Sequence, residues 1–442
     1  MAVVTPGRYS GTMCLSEPQA GSSLADITTK AVPAGDGTYR VSGTKMWISG
    51  GEHELTENIV HLVLAKAPGG GPGVKGISLF IVPKFLPDGT RNDVALVGLN
   101  HKMGNRGTTN TLLNFGDGSH PVPGGSGAVG YLVGQEHRGL FYMFHMMNEA
   151  RIGVGFLATA IGYAGYLASL DYAKVRTQGR PPWSKDAASA PVPIIEHADV
   201  KRMLLAQKSY VEGALALGLY CSRLVDIEAT SDRAERDQAH LLLEVLTPIA
   251  KAWPSQWCPE ANNLAIQVHG GYGYTTEFDV EQCYRDNRLN PIHEGTNGIQ
   301  GIDLLGRKVV MDGGAGLTLL YETIVATIDR APSDGETADY AAALRAALDD
   351  LVATTATLWA DANPAVALTN SSVYLQAAGH IVLAWMWLDQ LLAVGDKTGD
   401  FYDGKRAAAR YFFRFELPTV GPQLALCKSL DQTTAETDPA WF

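Results

Sequence analysis

The sequence predicts an α+β fold: an antiparallel β-barrel or sandwich, then an α-helical bundle, then an additional all-α C-terminal domain. Three observations predict it. Short β-branched runs recur between glycine and proline turns up to about residue 118; from about Gly139 the apolar pattern becomes that of buried helices; and from about Gly313 a compositionally separate helical block follows. The expected domains are residues 1–120, 136–310 and 313–442.

In the first region "TYRVSGTKMWIS" (Thr38 to Ser49) alternates with period two, while "NIVHLVLAK" (Asn58 to Lys66) and "GISLFIVP" (Gly76 to Pro83) are β-branched runs bounded by turn residues. Gly69 to Gly73, Pro87 to Gly89 and Gly104 to Gly107 supply turns. The stretch Phe141 to Arg176 contains no proline and is apolar nearly all round, as a helix buried in a bundle is. Helices are expected from Asp199 to about Ile227 and from Ala234 to about Cys258, where Pro248 and Pro254 should bend or interrupt the chain. "NLAIQVHGGYGYTTE" reads as a further helix stopping at Gly270-Gly271. In the last block Tyr340, Leu344, Leu348, Leu351, Thr355 and Leu358 share one helical face, and "SVYLQAAGHIVLAWMWLDQLLA" and "KRAAARYFFRF" read as two more helices.

Composition narrows the function. With 46 acidic against 35 basic side chains the net charge is −11, which opposes counterion-driven nucleic-acid binding, and no basic stripe compensates. The 5 cysteines are odd in number, scattered and without C-x-x-C spacing, so neither a disulfide frame nor a metal site is expected, and a cytoplasmic location fits. The first residues lack the pattern of a signal peptide. The late apolar run Ile381 to Leu388 is interrupted on both sides, short of the ~20 residues of a membrane span, so no membrane insertion is expected.

Five stretches carry candidate chemistry. In "MCLSEPQAGSS" (Met13 to Ser23), Pro18 stiffens the chain, Gly21 allows close approach, and Ser16 and Ser22 bring hydroxyls, a combination suited to a phosphate or a polar ring edge. In "GTKMWISGG", Trp47 and Ser49 lie two apart, so a broad indole and a hydroxyl share one strand face, where they can flank a flat heterocycle. "YAKVRTQGR" (Tyr172 to Arg180) ends the long helix with Arg176 and Gln178, and arginine is suited to bidentate grip on a pyrophosphate. "QVHGGYGY" offers Gln267 and the bare backbone of Gly270 and Gly271. "NPIHEGTNGIQ" sets one carboxylate, Glu294, in a glycine-led turn crowded with Asn, Thr and Gln, whose polar atoms need partners if buried. Taken singly, each has an ordinary reading as a loop, a core tryptophan, a helix end or a helix stop.

Together, in this order and spacing, "SEPQAGSS", "KMWISGG", "RTQGR", "QVHGGYGYTTE" and "YRDNRLNPIHEGTNGIQGIDLLGRK" resemble the acyl-CoA dehydrogenase family from about Gly11 to Lys308. With its final helical block the chain is most similar to the branch that includes 3-methylmercaptopropionyl-CoA dehydrogenases. The resemblance implies FAD as cofactor, an acyl-CoA substrate, electron-transferring flavoprotein as acceptor, and a homodimer or homotetramer. It implies that Glu294 is the base that removes the α-proton of the thioester while the β-hydrogen leaves as hydride to flavin N5, giving a trans-2-enoyl-CoA.

Further roles are implied by position. Ser16, Gly21, Ser22, Trp47, Ser49 and Thr296 would contact the flavin half of the cofactor, with Ser22 also reaching the pantetheine. Arg176, Gln178, Gln267, Gly270 and Gly271 match the segments by which a neighbouring subunit grips the ADP half. Arg151, in "NEARIGVG", and Gly295 would lie near the substrate. Ser16 and Ser49 stand where the family often has Thr, Ser23 where Asp is frequent, and His293 where Tyr is common. Family members carry a helical domain before the β-domain; its absence here implies a fragment, a mis-started frame, or a wall supplied by another polypeptide. The alternatives to a dehydrogenase are an acyl-CoA oxidase and a non-catalytic flavoprotein or subunit of a larger complex.

Overall fold

The computed structural model describes residues 7–181, 183 and 188–442; the reading of the first residues, Met1 to Pro6, lies outside these. The chain divides into two compact units, Met1–Glu149 and Ala150–Phe442.

The first unit is built on eight strands: β1 (Tyr9–Cys14), β2 (Lys30–Pro33), β3 (Tyr39–Ser49), β4 (Asn58–Lys66), β5 (Ile77–Pro83), β6 (Val94–Leu99), β7 (Asn110–Phe115) and β8 (Ala128–Leu132). They pair in the order β1-β4-β5-β8-β3-β7-β6, and β2 pairs with both β3 and β4, so β4, β5, β8, β3 and β2 close a ring. Most pairings are antiparallel; β1 and β2 meet β4 in parallel. Alternate side chains of the ring point inward and fill it, among them Val41, Val63, Phe80, Val82 and Ala128, all fully buried, and Phe115 of β7 joins the same core.

Period two fails at one place in β3. The pairing with β7 shifts register between Lys45 and Ile48, and Trp47 adopts a left-handed φ of 66°. Strict alternation would put Lys45 and Trp47 on the same face. The bulge instead lets Lys45 point in, fully buried, while Trp47 points out, 57% exposed, with the exposed Ser49 beyond it.

Helix α1 (Gly139–Val175) starts in the first unit and continues in the second, which holds α2 (Ala198–Thr230), α3 (Arg233–His269), α4 (Val280–Asn287) and α5 (Asn297–Asp303). The later helices are α6 (Ala315–Ile328), α7 (Glu336–Leu358), α8 (Pro364–Ala367), α9 (Ser371–Val394), α10 (Asp400–Tyr411), α11 (Val420–Lys428) and α12 (Thr433–Glu436). The residues expected on one face of α7, Tyr340 to Leu358, are all buried. The last block shares one apolar core with the bundle, in which Leu246, Leu344, Ile381, Trp387 and Leu424 are fully buried.

Two expectations are corrected. Prolines 248, 254 and 259 do not interrupt α3, which runs unbroken to His269 and absorbs the separately expected helix before Gly270. A proline in a helix interior costs ~3 kcal/mol, yet α3 packs on α2 more extensively than any other two elements pack, and that burial outweighs the lost backbone bonds. Two described helices, α1 and α9, are long and apolar enough to cross a membrane, and the bent pair Asn297–Lys308 with Met311–Ile328 passes only when taken together. Counting uninterrupted runs missed this. In α9, 72% of the most apolar stretch is buried inside the protein, so core packing accounts for that composition.

Candidate active site

In the first unit the serine-rich loop and the tryptophan strand are joined by a buried ion pair that sequence reading missed. Lys45 Nζ lies 3.0 Å from Glu17 Oε1 and 2.9 Å from the Leu15 carbonyl, and both charged side chains are almost wholly buried. Glu17 also accepts hydrogen bonds from the backbone N–H of Thr28 (2.7 Å) and of Thr29 (3.0 Å). Burial alone would raise the Glu17 carboxyl, but the Lys45 ammonium and these donors overcome it and hold it at about 2. The Ser16 carbonyl in turn accepts from Met46 N–H at 3.0 Å, so the loop is pinned beside Trp47. Gly21 and Ser22 are exposed, and Ser49 Oγ accepts from Asn110 Nδ2 at 3.3 Å. An exposed indole on a left-handed bulge, fixed from beneath, is an arrangement that packing by itself does not reward.

In the second unit, the end of α1 and the end of α3 form a cavity of about 460 Å³ lined by Arg176, Gln178, Gly270, Gly271, Tyr272 and other residues of those ends. Arg176 and Gln178 are held by pairing with a later segment: Ile194 N–H donates to Arg176 O at 2.8 Å and Gln178 N–H to Val192 O at 2.9 Å. The Arg176 guanidinium lies over the Tyr272 ring at 5.7 Å. A Cβ at Gly270 or Gly271 would meet nothing within 4 Å, so bare backbone faces open space there. Gln267 is exposed and is not among the residues lining this cavity.

The Glu294 turn lies between α4 and α5. Glu294 (φ 54°) and Gly295 (φ 85°) are consecutive left-handed residues. A glutamate there is unusual and strained, and Gly295 suits its own left-handed backbone, which side chains with a Cβ rarely adopt. Among the described residues none accepts from the Glu294 backbone N–H. The carbonyls are bound instead: Lys251 Nζ donates to Asn290 O and Gly295 O, both at 2.7 Å, and Gln300 Nε2 donates to Glu294 O at 3.2 Å. Asn290 Nδ2 donates to Asn287 Oδ1, and Asn287 Nδ2 to Asn262 Oδ1, each at 2.7 Å, so the crowded amides form a buried ladder. Thr296 caps α5, its Oγ1 accepting from Ile299 N–H. Arg151, 4% exposed, is paired with Asp303 at 3.0 Å.

Residues 12–117 match the acyl-CoA dehydrogenase middle domain, 137–309 the acyl-CoA dehydrogenase C-terminal domain, and 320–438 a domain described as acetyl-CoA dehydrogenase C-terminal like. The chain is 41% identical to 3-methylmercaptopropionyl-CoA dehydrogenase of Ruegeria pomeroyi over 92% of its own length and 69% of that protein. The chain belongs to the acyl-CoA dehydrogenase family. This acyl-CoA dehydrogenase is also 36% identical to the broad-specificity linear acyl-CoA dehydrogenase FadE5 of Mycobacterium tuberculosis, over 98% of its length and 74% of that protein. Its fold matches the Bacillus anthracis acyl-CoA dehydrogenase complexed with FAD at a TM-score of 0.75 and 18% identity, covering 97% of this chain and 70% of that one.

As a member of this family the protein is a flavin-dependent oxidoreductase with FAD as cofactor. The residues fit FAD. A guanidinium, an amide side chain and bare glycine backbone line a cavity within the range of ~300–1,000 Å³ that ligand sites occupy. Glu17, Lys45 and Lys251 had no local signal that singled them out, although a lysine in an apolar helical run was visible at position 251; of the ladder, Asn290 lay in the turn whose polar crowding called for buried partners, while Asn262 was not singled out.

Proposed function

We propose that the protein desaturates an acyl-CoA thioester to a trans-2-enoyl-CoA, with Glu294 as catalytic base. The observation that carries this is the left-handed turn at Glu294, whose carbonyls are tied back while its own N–H is left for a ligand. Bound FAD supplies an acceptor for the β-hydrogen, which leaves with its electron pair. The Glu294 carboxylate takes the α-proton. That proton is too weakly acidic for a solvated carboxylate, so the thioester oxygen must be held as charge develops on it, a role for the Glu294 N–H. An acyl chain that displaces water raises the basicity of the carboxylate.

Ser16, Ser22, Trp47, Ser49 and Thr296 are assigned to the flavin half, Arg176, Gln178, Gly270 and Gly271 to the ADP half, and Gln267 to the rim of that site. Arg151, Ser22 and Gly295 are assigned to the thioester and its pantetheine. The reduced flavin would pass electrons to an electron-transferring flavoprotein, and the working form would be a homodimer or homotetramer in the cytoplasm, a compartment that five free cysteines support.

The direct test is anaerobic mixing of the FAD-loaded protein with a panel of short and medium acyl-CoAs that includes methylmercaptopropionyl-CoA. Bleaching of the flavin absorbance is expected; a loaded protein that no thioester bleaches would refute the reading. Arg176→Ala is expected to weaken FAD binding by about tenfold or more, as loss of a charge-assisted bond does. Titration of the apoprotein with FAD measures this, and unchanged affinity would place the ADP grip elsewhere.

A further inference from the structure

Gln300 of α5 is fully buried, and its side chain folds back on the turn that precedes the helix. Nε2 lies 3.2 Å from Glu294 O and 3.4 Å from Gly295 O, and a terminal atom in reach of two carbonyls must be the amide nitrogen. Among the described residues only Gln300 donates to the Glu294 carbonyl, whereas Gly295 O also accepts from Lys251. The Gln300 Oε1, equally buried, accepts from no described residue. The adjoining buried amides differ: Asn262 and Asn287 each donate with nitrogen and accept with oxygen, so both ends serve the fold. Nor does α5 need this amide as an anchor. Thr296 caps it, Arg151 pairs with Asp303, and Gly301 lies so close to α9 that a Cβ there would fall 2.7 Å from Ser371 O. A buried amide that uses only its donor, and only on two successive left-handed residues, is placed for the turn and not for the core.

We propose that Gln300 is a positioning residue of the dehydrogenation: its side-chain amide holds the peptide planes on either side of Gly295 and so fixes where the Glu294 carboxylate points. The proposal rests on Glu294 being the base. A left-handed glutamate stores strain that a return to ordinary φ would relieve. Rotation about its N–Cα bond moves Cβ and the carbonyl together, so any such relaxation carries Glu294 O away from Gln300, and the hydrogen bond opposes it. Tying the carbonyl therefore also sets the direction of the side chain relative to the backbone N–H. Proton transfer is sensitive to that direction, because displacing a reacting group by about 1 Å can cost about a hundredfold in rate.

The test is anaerobic stopped flow of the FAD-loaded protein with butyryl-CoA and methylmercaptopropionyl-CoA, read as the limiting rate of flavin bleaching, the half-saturating concentration and the amplitude. Gln300→Met keeps the length of the side chain and removes its donor. It is expected to lower the limiting rate by about tenfold or more, with half-saturation within about twofold of the parent and bleaching still complete, since every molecule binds and reacts, only more slowly. Its denaturant midpoint should match the parent's. Gln300→Asn keeps the amide but draws it back by one methylene, out of reach of Glu294 O; it should be slowed likewise at full amplitude, and it decides the matter should Gln300→Met not fold.

Hydrogen exchange gives a readout independent of turnover. Exchange over residues 290–297 should quicken in Gln300→Met while exchange across α9 is unchanged. A parent limiting rate in that variant, a loss confined to amplitude or to the unfolding midpoint, or a slowed rate with unchanged exchange in the turn would each overturn the proposal. If Glu294→Gln itself still bleaches the flavin as fast as the parent, it is the assignment of the base that has failed; if Glu294→Gln is inert while Gln300→Met keeps the parent rate, only the role of Gln300 has.

Discussion

Glu294→Gln is expected to abolish reduction of bound FAD by an acyl-CoA, lowering the rate by about 10⁴-fold, the upper range for loss of a general base, with FAD content and the oxidised spectrum unchanged. The amide preserves the shape of the turn, the Glu294 carbonyl that Gln300 holds and the free backbone N–H. It removes only the ability to take a proton. Stopped-flow absorbance under anaerobic conditions reads the rate, and flavin analysis confirms loading. A variant that bleaches as fast as the parent would mean that another group removes the α-proton. A chain whose role is purely structural would be untouched by the substitution in any assay of that role, which separates the enzyme from the non-catalytic alternative.

Lys45→Met should destabilise the β-unit by about 3 kcal/mol, since removing one partner of a buried ion pair leaves the other charge uncompensated. It should also weaken FAD retention, because the Ser16 loop hangs on the same contacts. Denaturant unfolding measures the first effect and flavin release the second. The loss should depend on pH. Glu17 is held at about 2 in the fold against an ordinary value of 4.5, so its contribution is complete above about pH 4.5 and is lost as the pH falls toward 2. The gap between parent and variant should therefore narrow below pH 4.5. His61, fully buried, adds a separate acid sensitivity to both proteins. Burial holds its imidazole at about 3 instead of 6.5, so the stability it gives as a neutral ring is lost as the pH falls through that interval. A gap that stays constant from pH 7 to pH 3 would show that the Glu17–Lys45 pair does not govern this unit.

Much of the architecture was legible because its signals are local. The buried face of α7 could be read from side chains three and four residues apart, and the strand-rich first region from β-branched runs between turns. The candidate base was legible too: a lone carboxylate among Asn, Thr and Gln in a proline- and glycine-bounded turn is a local pattern, and its left-handed backbone agrees with the glycine beside it. The continuity of α3 was not, because proline propensity is a local rule and the packing that overrides it involves another helix.

By itself, then, the sequence determined which segments become strands and helices, and that one glutamate sits in a tight polar turn, since those outcomes depend on neighbours within a few positions. Tertiary structure alone decided that a bulge would turn Lys45 inward to Glu17 and Trp47 outward, that the ends of α1 and α3 would enclose a cavity, and that Lys251 would reach the carbonyl of Gly295. The reason is physical: a buried charge settles where distant backbone can satisfy it, and no local period encodes which carbonyl that will be.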